Sequence, residues 1–244
     1  MTVLDLTVTA PGGACRVSLH TPDGDGPWPA VIMYPDAVGA RPTFRAMADR
    51  LAGLGYATLL PDVYYRAGDW KPFDVHTVFA DADERARMMG LARSLTLADV
   101  VADAGAFLEF LAGRPEVAGE RVGTTGYCMG GRISLTVAGH HPDRVGAAAS
   151  FHGGRLAAED DPDSPALLAD RVRATVYVAA AENDQTCPPE QLDRLAKAYT
   201  EAGVAYTIET YPGAHGFAVP DNGPYDEALG ERHWAALEAL YRSL

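Results

Sequence analysis

The sequence predicts an α/β protein whose sheet is mostly parallel and is covered by helices on both faces. Short apolar runs typical of buried strands, such as residues 30–34, alternate along the chain with longer segments in which apolar residues recur at helical spacing. This alternation is typical of parallel sheets, because each return to the sheet needs a crossover connection. No internal repeat or shift in composition divides the chain, so we expect one domain spanning residues 1–244.

Local patterns predict the individual elements. Residues 4–9 and 14–20 alternate apolar and polar side chains around Pro11-Gly12-Gly13, which predicts an antiparallel hairpin at the edge of the sheet. The other predicted strands are residues 30–34, 56–60, 145–151, 174–180 and 205–211. The predicted helices are residues 44–54, 97–111, 189–202 and 224–243.

Residues from about 63 to 93 break the alternation of strands and helices. Aromatic residues are mixed there with a charged stretch from Asp81 to Arg87. We interpret this segment as an insertion over one end of the sheet, where it would cover the site described below.

The charge and the apolar pattern exclude several classes of partner. The 244 residues carry 20 basic and 33 acidic side chains, a formal charge of −13, so the overall field repels nucleic acid and anionic membranes. The N-terminus does not resemble a signal peptide, and no apolar run reaches the roughly 18 residues of a membrane span. We therefore expect a cytoplasmic protein that binds neither nucleic acid nor a membrane.

The sequence indicates neither a metal nor a cofactor. Cys15, Cys128 and Cys187 are too few and too irregularly spaced for a disulfide framework or a zinc cluster. The glycines at 126–131 precede no Lys-Ser or Lys-Thr pair, which a phosphate-binding loop would require. We expect the function to need no cofactor.

One motif points to chemistry. Gly126-Tyr127-Cys128-Met129-Gly130-Gly131 lies between β-prone residues 121–125 and helix-prone residues 132–139. This arrangement is typical of the nucleophile elbow of the α/β-hydrolase fold, with cysteine in the place of the usual serine. The glycines leave room for a sharp turn, and the N-terminus of the following helix favours negative charge at the sulfur. We predict that Cys128 is a nucleophile.

Further loops supply partners for this cysteine. Asp184 and His215 each follow a predicted strand, and the order cysteine, aspartate, histidine is that of α/β-hydrolases. We predict that His215 takes the thiol proton or pairs with the thiolate, and that Asp184 fixes the tautomer of the histidine and balances the imidazolium charge. The backbone N–H groups of Met129 and Ala37 are the predicted oxyanion donors.

Alternatives stay open for two of these assignments. Glu182 lies in the same loop as Asp184 and competes with it for the role of the acid. His152 also ends a predicted strand and rivals His215; we interpret it as either a residue at the edge of the site or a structural one. Cys187 is close enough in sequence to Asp184 to approach the site, although a passive role is favoured.

These residues resemble the dienelactone hydrolase family. The resemblance runs from about residue 29 to the C-terminus. Besides the elbow, it rests on Gly55-Tyr56-Ala57 leading to Pro61-Asp62-Val63-Tyr64, on Asp83-Glu84-Arg85-Ala86-Arg87, on the Asp184-x-x-x-Pro188 spacing and on Gly213-Ala214-His215-Gly216-Phe217. It implies an eight-stranded α/β-hydrolase fold and hydrolysis of an ester or lactone through a cysteine acyl-enzyme, without a metal.

The resemblance also implies roles for single residues. The acid that holds the resting thiol in the family falls on Asp36, and one of two substrate-binding arginines falls on Arg87. The alternative for Arg87 is a surface helix charge paired with Asp83. The second arginine position is Val219 here, which weakens recognition of a substrate carboxylate. We therefore expect an ester or lactone less charged than dienelactone. The other residues expected to contact it are Tyr64, Tyr65, Phe217 and His152.

The predicted function is a cofactor-free hydrolase of a small lactone or carboxylic ester, monomeric or homodimeric. Two rivals stay open. One is a non-catalytic ligand-binding or sensor protein on the same scaffold, and the other is an acyltransferase that passes the acyl group to a thiol or amine. The ordered triad favours an enzyme over a binding protein, because a protein that had lost its activity would be expected to lose a catalytic residue first.

Overall fold

The computed structural model describes residues 1–242 and 244. The strands within them are β1 Thr2–Ala10, β2 Gly13–Thr21, β3 Trp28–Tyr34, β4 Ala57–Pro61, β5 Val117–Tyr127, β6 Val145–Phe151, β7 Thr175–Ala181 and β8 Tyr206–Tyr211. The helices are α1 Pro42–Gly53, α2 Ala82–Ser94, α3 Leu97–Ala112, α4 Met129–His140, α5 Pro189–Ala202 and α6 Glu227–Tyr241. None of these helices is both long and apolar enough to cross a bilayer.

The strands form one mostly parallel sheet in the order β1-β2-β4-β3-β5-β6-β7-β8. β2 pairs with β1 and with β4 in the antiparallel sense, and every other pairing is parallel. The predicted α/β class with an eight-stranded, mostly parallel sheet is confirmed. The predicted hairpin at one edge is the β1–β2 pair, which runs in register from Thr2 opposite Thr21 to Ala10 opposite Gly13.

Helices cover both faces of the sheet, and an apolar core lies between the sheet and the helices on each face. Side chains alternate along β3, so that Ile32 and Tyr34 face one core while Val31 and Met33 face the other. The first core is completed by α3, α4 and α5, and the second by α1 and α6. All five residues of β4 are buried, as expected of a strand covered on both faces.

Two elements differ most from their predictions. β5 begins at Val117, before the predicted residues 121–125. The pattern missed its first half because those residues are partly exposed and carry no continuous apolar run. The sequence pattern did not predict α2, since Met88 is the one buried residue on it and an apolar period is therefore missing. Its start is set instead by Asp81, whose carboxylate accepts the N–H groups of Asp83 and Glu84 at 2.9 and 3.0 Å.

The segment of about residues 63–93 packs beside the loop that follows β3. Phe73, Val78 and Met88 from this segment form a small apolar cluster with Val38. The segment therefore lies near the carboxyl end of β3, at the edge where the loops after β5, β7 and β8 also emerge. That edge carries the candidate site.

Candidate active site

Cys128 occupies the sharp turn between β5 and α4. Its φ is 55° and its ψ is −115°, and Met129 directly after it is the first residue of the helix. A left-handed φ outside glycine costs about 1–3 kcal/mol and persists only where the surrounding structure enforces it. The N–H of Cys128 donates to the carbonyl of Phe151 in β6 at 3.0 Å, which ties the turn to the sheet. The strand–turn–helix geometry that the motif predicts is therefore present.

Glycines on either side of Cys128 allow the close contact between helix and sheet. A Cβ at Gly126 would overlap the carbonyl of Gly130, and a Cβ at Gly130 would overlap the carbonyl of Tyr34. All of these are backbone contacts, so they cannot be relieved by rotating a side chain. A larger residue at either position would move the start of α4 away from Cys128.

The loops after β7 and β8 bring an aspartate and a histidine together. His215 Nδ1 donates to Asp184 Oδ2 at 2.6 Å. The other carboxylate oxygen of Asp184 accepts the N–H and the hydroxyl of Thr186, at 2.8 and 2.7 Å. Asp184 is buried and Glu182 is exposed, so the contacts favour Asp184 as the acid of this loop. Because Nδ1 faces the carboxylate, Nε2 is the nitrogen left for the thiol.

Charge and hydrogen bonding couple this pair to Cys128. Burial by itself would lower the pKa of His215. Its hydrogen bonds to Asp184 and Cys128, together with the negative charges of these two residues, outweigh burial and raise the pKa to about 10. Burial raises the pKa of Asp184, but the bonds from His215 and Thr186 and the histidine's charge bring it below its ordinary value. His215 is thus hydrogen-bonded to Asp184 and linked electrostatically to Cys128, and the imidazolium form is favoured near neutral pH.

The three cysteines differ sharply in their surroundings. Cys15 and Cys187 are buried, and Cys128 is partly exposed. Burial raises the pKa of Cys15 to about 12 and that of Cys187 to about 11. Both therefore remain protonated thiols at neutral pH, which supports the passive role expected for Cys187.

The backbone N–H groups of Met129 and Ala37 are the predicted oxyanion donors. Met129 is the first residue of α4, so its N–H has no acceptor within the helix. Ala37 lies in a turn after β3 that is closed by a hydrogen bond from the N–H of Gly39 to the carbonyl of Asp36 at 2.9 Å. The hydroxyl of Tyr64 donates to the Ala37 carbonyl at 2.9 Å and fixes the next peptide of the turn.

The carboxylate of Asp36 accepts hydrogen bonds from other groups instead of the thiol. Arg41 donates to both of its carboxylate oxygens, at 2.7 and 3.0 Å. The N–H of Val38 and the side-chain amide of Asn222 also donate to it, at 3.0 and 3.4 Å. Within residues 1–242 and 244, no hydrogen bond joins Asp36 to Cys128, so these contacts do not support the expected hold on the resting thiol.

A comparison of the chain with a model of the dienelactone hydrolase family matches residues 15–243. The chain belongs to this family. It is 34% identical over 239 residues to a carboxymethylenebutenolidase of a Pseudomonas species, covering 97% of this chain and 94% of that protein. A crystal structure described as a "Putative Dienelactone Hydrolase" from Klebsiella pneumoniae matches with a TM-score of 0.84 at 25% identity, over 100% of this chain and 99% of the other.

A second solved structure widens the chemistry found among similar proteins. It is a dienelactone hydrolase-like promiscuous phosphotriesterase from metagenomic libraries, with a TM-score of 0.77 and 25% identity over 100% of this chain and 99% of the other. Family membership supports hydrolysis of an ester or lactone and a small-molecule substrate. The resemblance inferred from the sequence motifs is confirmed.

The two adjacent tyrosines predicted beside the substrate have different hydrogen-bond partners. Tyr64 is buried next to the turn that carries Ala37, and its hydroxyl also lies 3.5 Å from the sulfur of Met129. Tyr65 donates instead to Asp103 Oδ1 at 2.7 Å and accepts the N–H of Gly12 at 3.1 Å. The structure places only Tyr64 at the candidate site.

Arg87, the predicted substrate-binding arginine of this family member, is engaged within its own region. It donates to Glu84 Oε2 at 2.7 Å and to the carbonyl of Lys71 at 2.8 Å. Its guanidinium carbon lies 3.8 Å from the centre of the Phe73 ring. The ion-pair partner is thus Glu84 and not Asp83, which was the alternative expected from sequence.

His152 and Phe217 lie beneath the histidine rather than at an open edge of the site. Both are fully buried, and the centre of the His152 ring is 5.1 Å from those of both His215 and Phe217. Burial, followed by the charges of His215 and His233, holds the pKa of His152 well below its ordinary value. His152 is therefore a neutral ring packed behind His215, and it does not replace His215 as the partner of Asp184.

Sequence reasoning did not find three residues that hold the site together. Thr186, which bonds to Asp184, carries a signal that was available, since the carboxylate of an aspartate in a turn often accepts the backbone N–H two residues further on. Arg41 and Asp221 carry none, because their contact joins distant parts of the chain. No group of three or more His, Cys, Asp or Glu residues is placed to hold a metal ion in residues 1–242 and 244.

Proposed function

We propose that this protein hydrolyses a small, uncharged lactone or carboxylic ester through an acyl-enzyme on Cys128. Membership of the dienelactone hydrolase family supports the class of reaction. The observation that carries the finer proposal is the hydrogen bond from His215 to Asp184, together with the influence of Cys128 that helps raise the pKa of His215. The three residues come from three different loops at the edge of the sheet where such enzymes place their reacting groups.

The sulfur of Cys128 attacks the carbonyl carbon, and the π electrons of that carbonyl move to its oxygen. The amides of Met129 and Ala37 stabilise the oxyanion, and each such donor contributes about 3 kcal/mol to lowering the barrier. When the intermediate collapses, the bond to the leaving oxygen breaks and His215 supplies the proton. This half-reaction leaves a thioester on Cys128. An ester releases its alcohol, whereas the opened ring of a lactone keeps its new hydroxyl on the bound acyl group.

Water completes the cycle on the same residues. Neutral His215 takes a proton from water as the hydroxide attacks the thioester carbonyl, and the oxyanion forms again at the same two amides. Collapse breaks the carbon–sulfur bond, returns the thiolate and releases the acid. Asp184 stabilises the imidazolium in both halves, since its carboxylate lies 2.6 Å from Nδ1.

The surroundings of the site favour a substrate without a carboxylate. Val219, at the second arginine position of the family, is buried. Arg87 is held by Glu84 and Lys71, and Arg41 lies between two carboxylates. Val219 offers no charge to a substrate carboxylate, and binding one to either arginine would require breaking an existing ion pair. We further propose that residues 63–93 form one wall of the site, next to Val38.

The deciding experiment compares Cys128→Ala with the matched control Cys187→Ser on uncharged short-chain aryl esters and on dienelactone. We expect Cys128→Ala to lose turnover, the control to keep it, and the wild type to prefer uncharged esters. Mass spectrometry of the quenched wild type should show one acyl group on Cys128. Full turnover by Cys128→Ala would overturn the proposal, and efficient turnover of dienelactone would overturn the preference for uncharged substrates.

The two rival functions give different products. An acyltransferase would yield thioester or amide when a thiol or amine acceptor is added, whereas we expect the free acid to dominate. A binding protein would retain the ester unchanged. Product analysis with and without acceptors separates the three.

A further inference from the structure

Arg41 connects the candidate oxyanion loop to the loop that carries the catalytic histidine. Its side chain, just before α1, is only 9% exposed. The guanidinium lies between Asp36, which directly precedes Ala37, and Asp221, which follows His215 by six residues. We propose that Arg41 is a positioning residue that sets the oxyanion loop against the histidine. The inference rests on the proposed function of these two loops.

The guanidinium of Arg41 uses its whole set of N–H donors inside the protein. Nε and Nη2 donate to the two oxygens of Asp221, both at 2.8 Å. Nη1 and Nη2 donate to the two oxygens of Asp36, at 2.7 and 3.0 Å, and Nη1 also donates to the carbonyl of Gly39 at 3.2 Å. Paired bonds to each carboxylate fix orientation as well as distance. Arg41 is therefore a bridge between loops and has no donor to offer a substrate.

Both ends of this bridge continue into the candidate site. At one end, Asp36 accepts the N–H of Val38 at 3.0 Å and so holds the turn that presents the Ala37 amide. At the other end, Asp221 lies at the close of consecutive turns that start at the residue before His215. Their hydrogen bonds are Phe217 N–H to Ala214 at 3.1 Å, Val219 N–H to Gly216 at 3.2 Å and Asn222 N–H to Val219 at 3.0 Å.

The two loops arise from strands that are far apart in the sheet, so their relative position needs such a connection. β3 is central and β8 is the edge strand. Thr43 strengthens the bridge by donating its hydroxyl to Asp221 at 2.6 Å. The oxyanion amide must meet the carbonyl oxygen while His215 faces the sulfur, and a shift of about 1 Å at such a site can cost about 100-fold in rate.

The test separates chemistry that needs the oxyanion donors from chemistry that does not. Iodoacetamide alkylates Cys128 by forming a sulfur–carbon bond as the carbon–iodine bond breaks, and no oxyanion develops. An aryl trifluoromethyl ketone instead accepts the thiolate at its carbonyl carbon, and the former carbonyl oxygen takes the negative charge while His215 keeps its proton. The dissociation constant of the ketone, measured by direct binding, therefore reports on the oxyanion donors.

We expect Arg41→Lys to weaken ketone binding by roughly 10- to 100-fold and to leave the alkylation rate of Cys128 unchanged. Lysine keeps the charge but cannot donate paired bonds to two carboxylates. The matched control is Arg45→Lys, on α1, where the arginine makes an exposed paired contact with Asp5 at 2.6 and 3.2 Å. This control should leave both measurements at wild-type values.

Wild-type ketone affinity in Arg41→Lys would overturn the proposal. An equal loss in both measurements would also overturn it, because the defect would then lie in the cysteine–histidine pair or in folding. Asp221→Asn, which preserves shape and removes one charge of the bridge, provides a second variant if Arg41→Lys does not fold, with the same selective loss expected. Neither probe needs ester turnover, so an inactive wild type would contradict the proposed function and still leave this measurement in place.

Discussion

Asp36 and Asp184 are two buried carboxylates in equivalent places that have different partners. Each follows a parallel strand, and each accepts a backbone N–H two residues further on, at 3.0 and 2.8 Å respectively. The remaining contacts differ. Asp184 accepts from His215 at 2.6 Å, whereas Asp36 accepts from Arg41 at 2.7 and 3.0 Å. Position at the carboxyl end of a strand therefore does not by itself assign a role.

The partner decides what each carboxylate contributes. An imidazole gains and loses a proton near neutral pH, so a carboxylate beside it can act on the chemistry. A guanidinium stays charged under all ordinary conditions, so a carboxylate beside it can only hold geometry. We therefore expect substitutions at Asp184 to alter the proton transfers and substitutions at Asp36 to alter the placement of the oxyanion loop.

The largest effect that tests this comparison is expected from Asp184→Asn. The amide would present an N–H₂ or a neutral oxygen to Nδ1. The imidazolium would then no longer be stabilised and the correct tautomer no longer fixed, so we expect kcat to fall about 10⁴-fold. Steady-state kinetics on an uncharged aryl ester measures this, with exposed Glu182→Gln as the matched control at wild-type rate. A severe loss in the control and a mild one in Asp184→Asn would reverse the assignment of the acid.

A much smaller effect is expected from Asp36→Asn. One charge-assisted hydrogen bond from Arg41 would be weakened while the turn to Val38 is retained, which corresponds to about 1.5 kcal/mol or roughly tenfold in kcat. KM should change little, because the oxyanion contacts strengthen only in the transition state. If Asp36→Asn were as damaging as Asp184→Asn, the comparison would break and Asp36 would need a direct role at the thiol.

Much of the fold was predictable because its signals are local. The hairpin and the buried strands follow from the apolar period of a few neighbouring residues, and the bounds observed for α5 equal those predicted. α2 was missed because a helix that buries only Met88 leaves no period to detect. Its cap at Asp81 was the remaining signal, and capping residues also occur in ordinary turns.

The candidate site divides in the same way. Cys128, Asp184 and His215 each follow a strand-like run, so their order and their shared edge could be read from the sequence. The bridge from Arg41 to Asp221 could not, since 180 residues separate them and no local pattern records which carboxylate a guanidinium meets.

The last expected effect is on the pH dependence of stability rather than on the rate, and it sharpens the comparison. The pKa of His215 is about 10 in the folded protein, above the roughly 6.5 of an unfolded histidine, so the folded state holds this proton more tightly. The stabilisation is complete below about pH 6.5 and is lost as the pH rises towards 10. The difference in free energy of unfolding between wild type and His215→Gln should shrink over this window.

The Arg41 bridge should behave differently in the same titration. Burial by itself would lower the pKa of Arg41, but the hydrogen bonds to Asp221 and Asp36 outweigh burial and raise this pKa above its ordinary value. The charge of Arg41 therefore does not change in this window. The difference between wild type and Arg41→Lys should therefore stay constant while that for His215→Gln declines, as measured by denaturant unfolding at each pH. Parallel declines would mean that the two carboxylates do not differ as their contacts indicate, and constant differences for both would show that His215 holds no excess proton in the folded state.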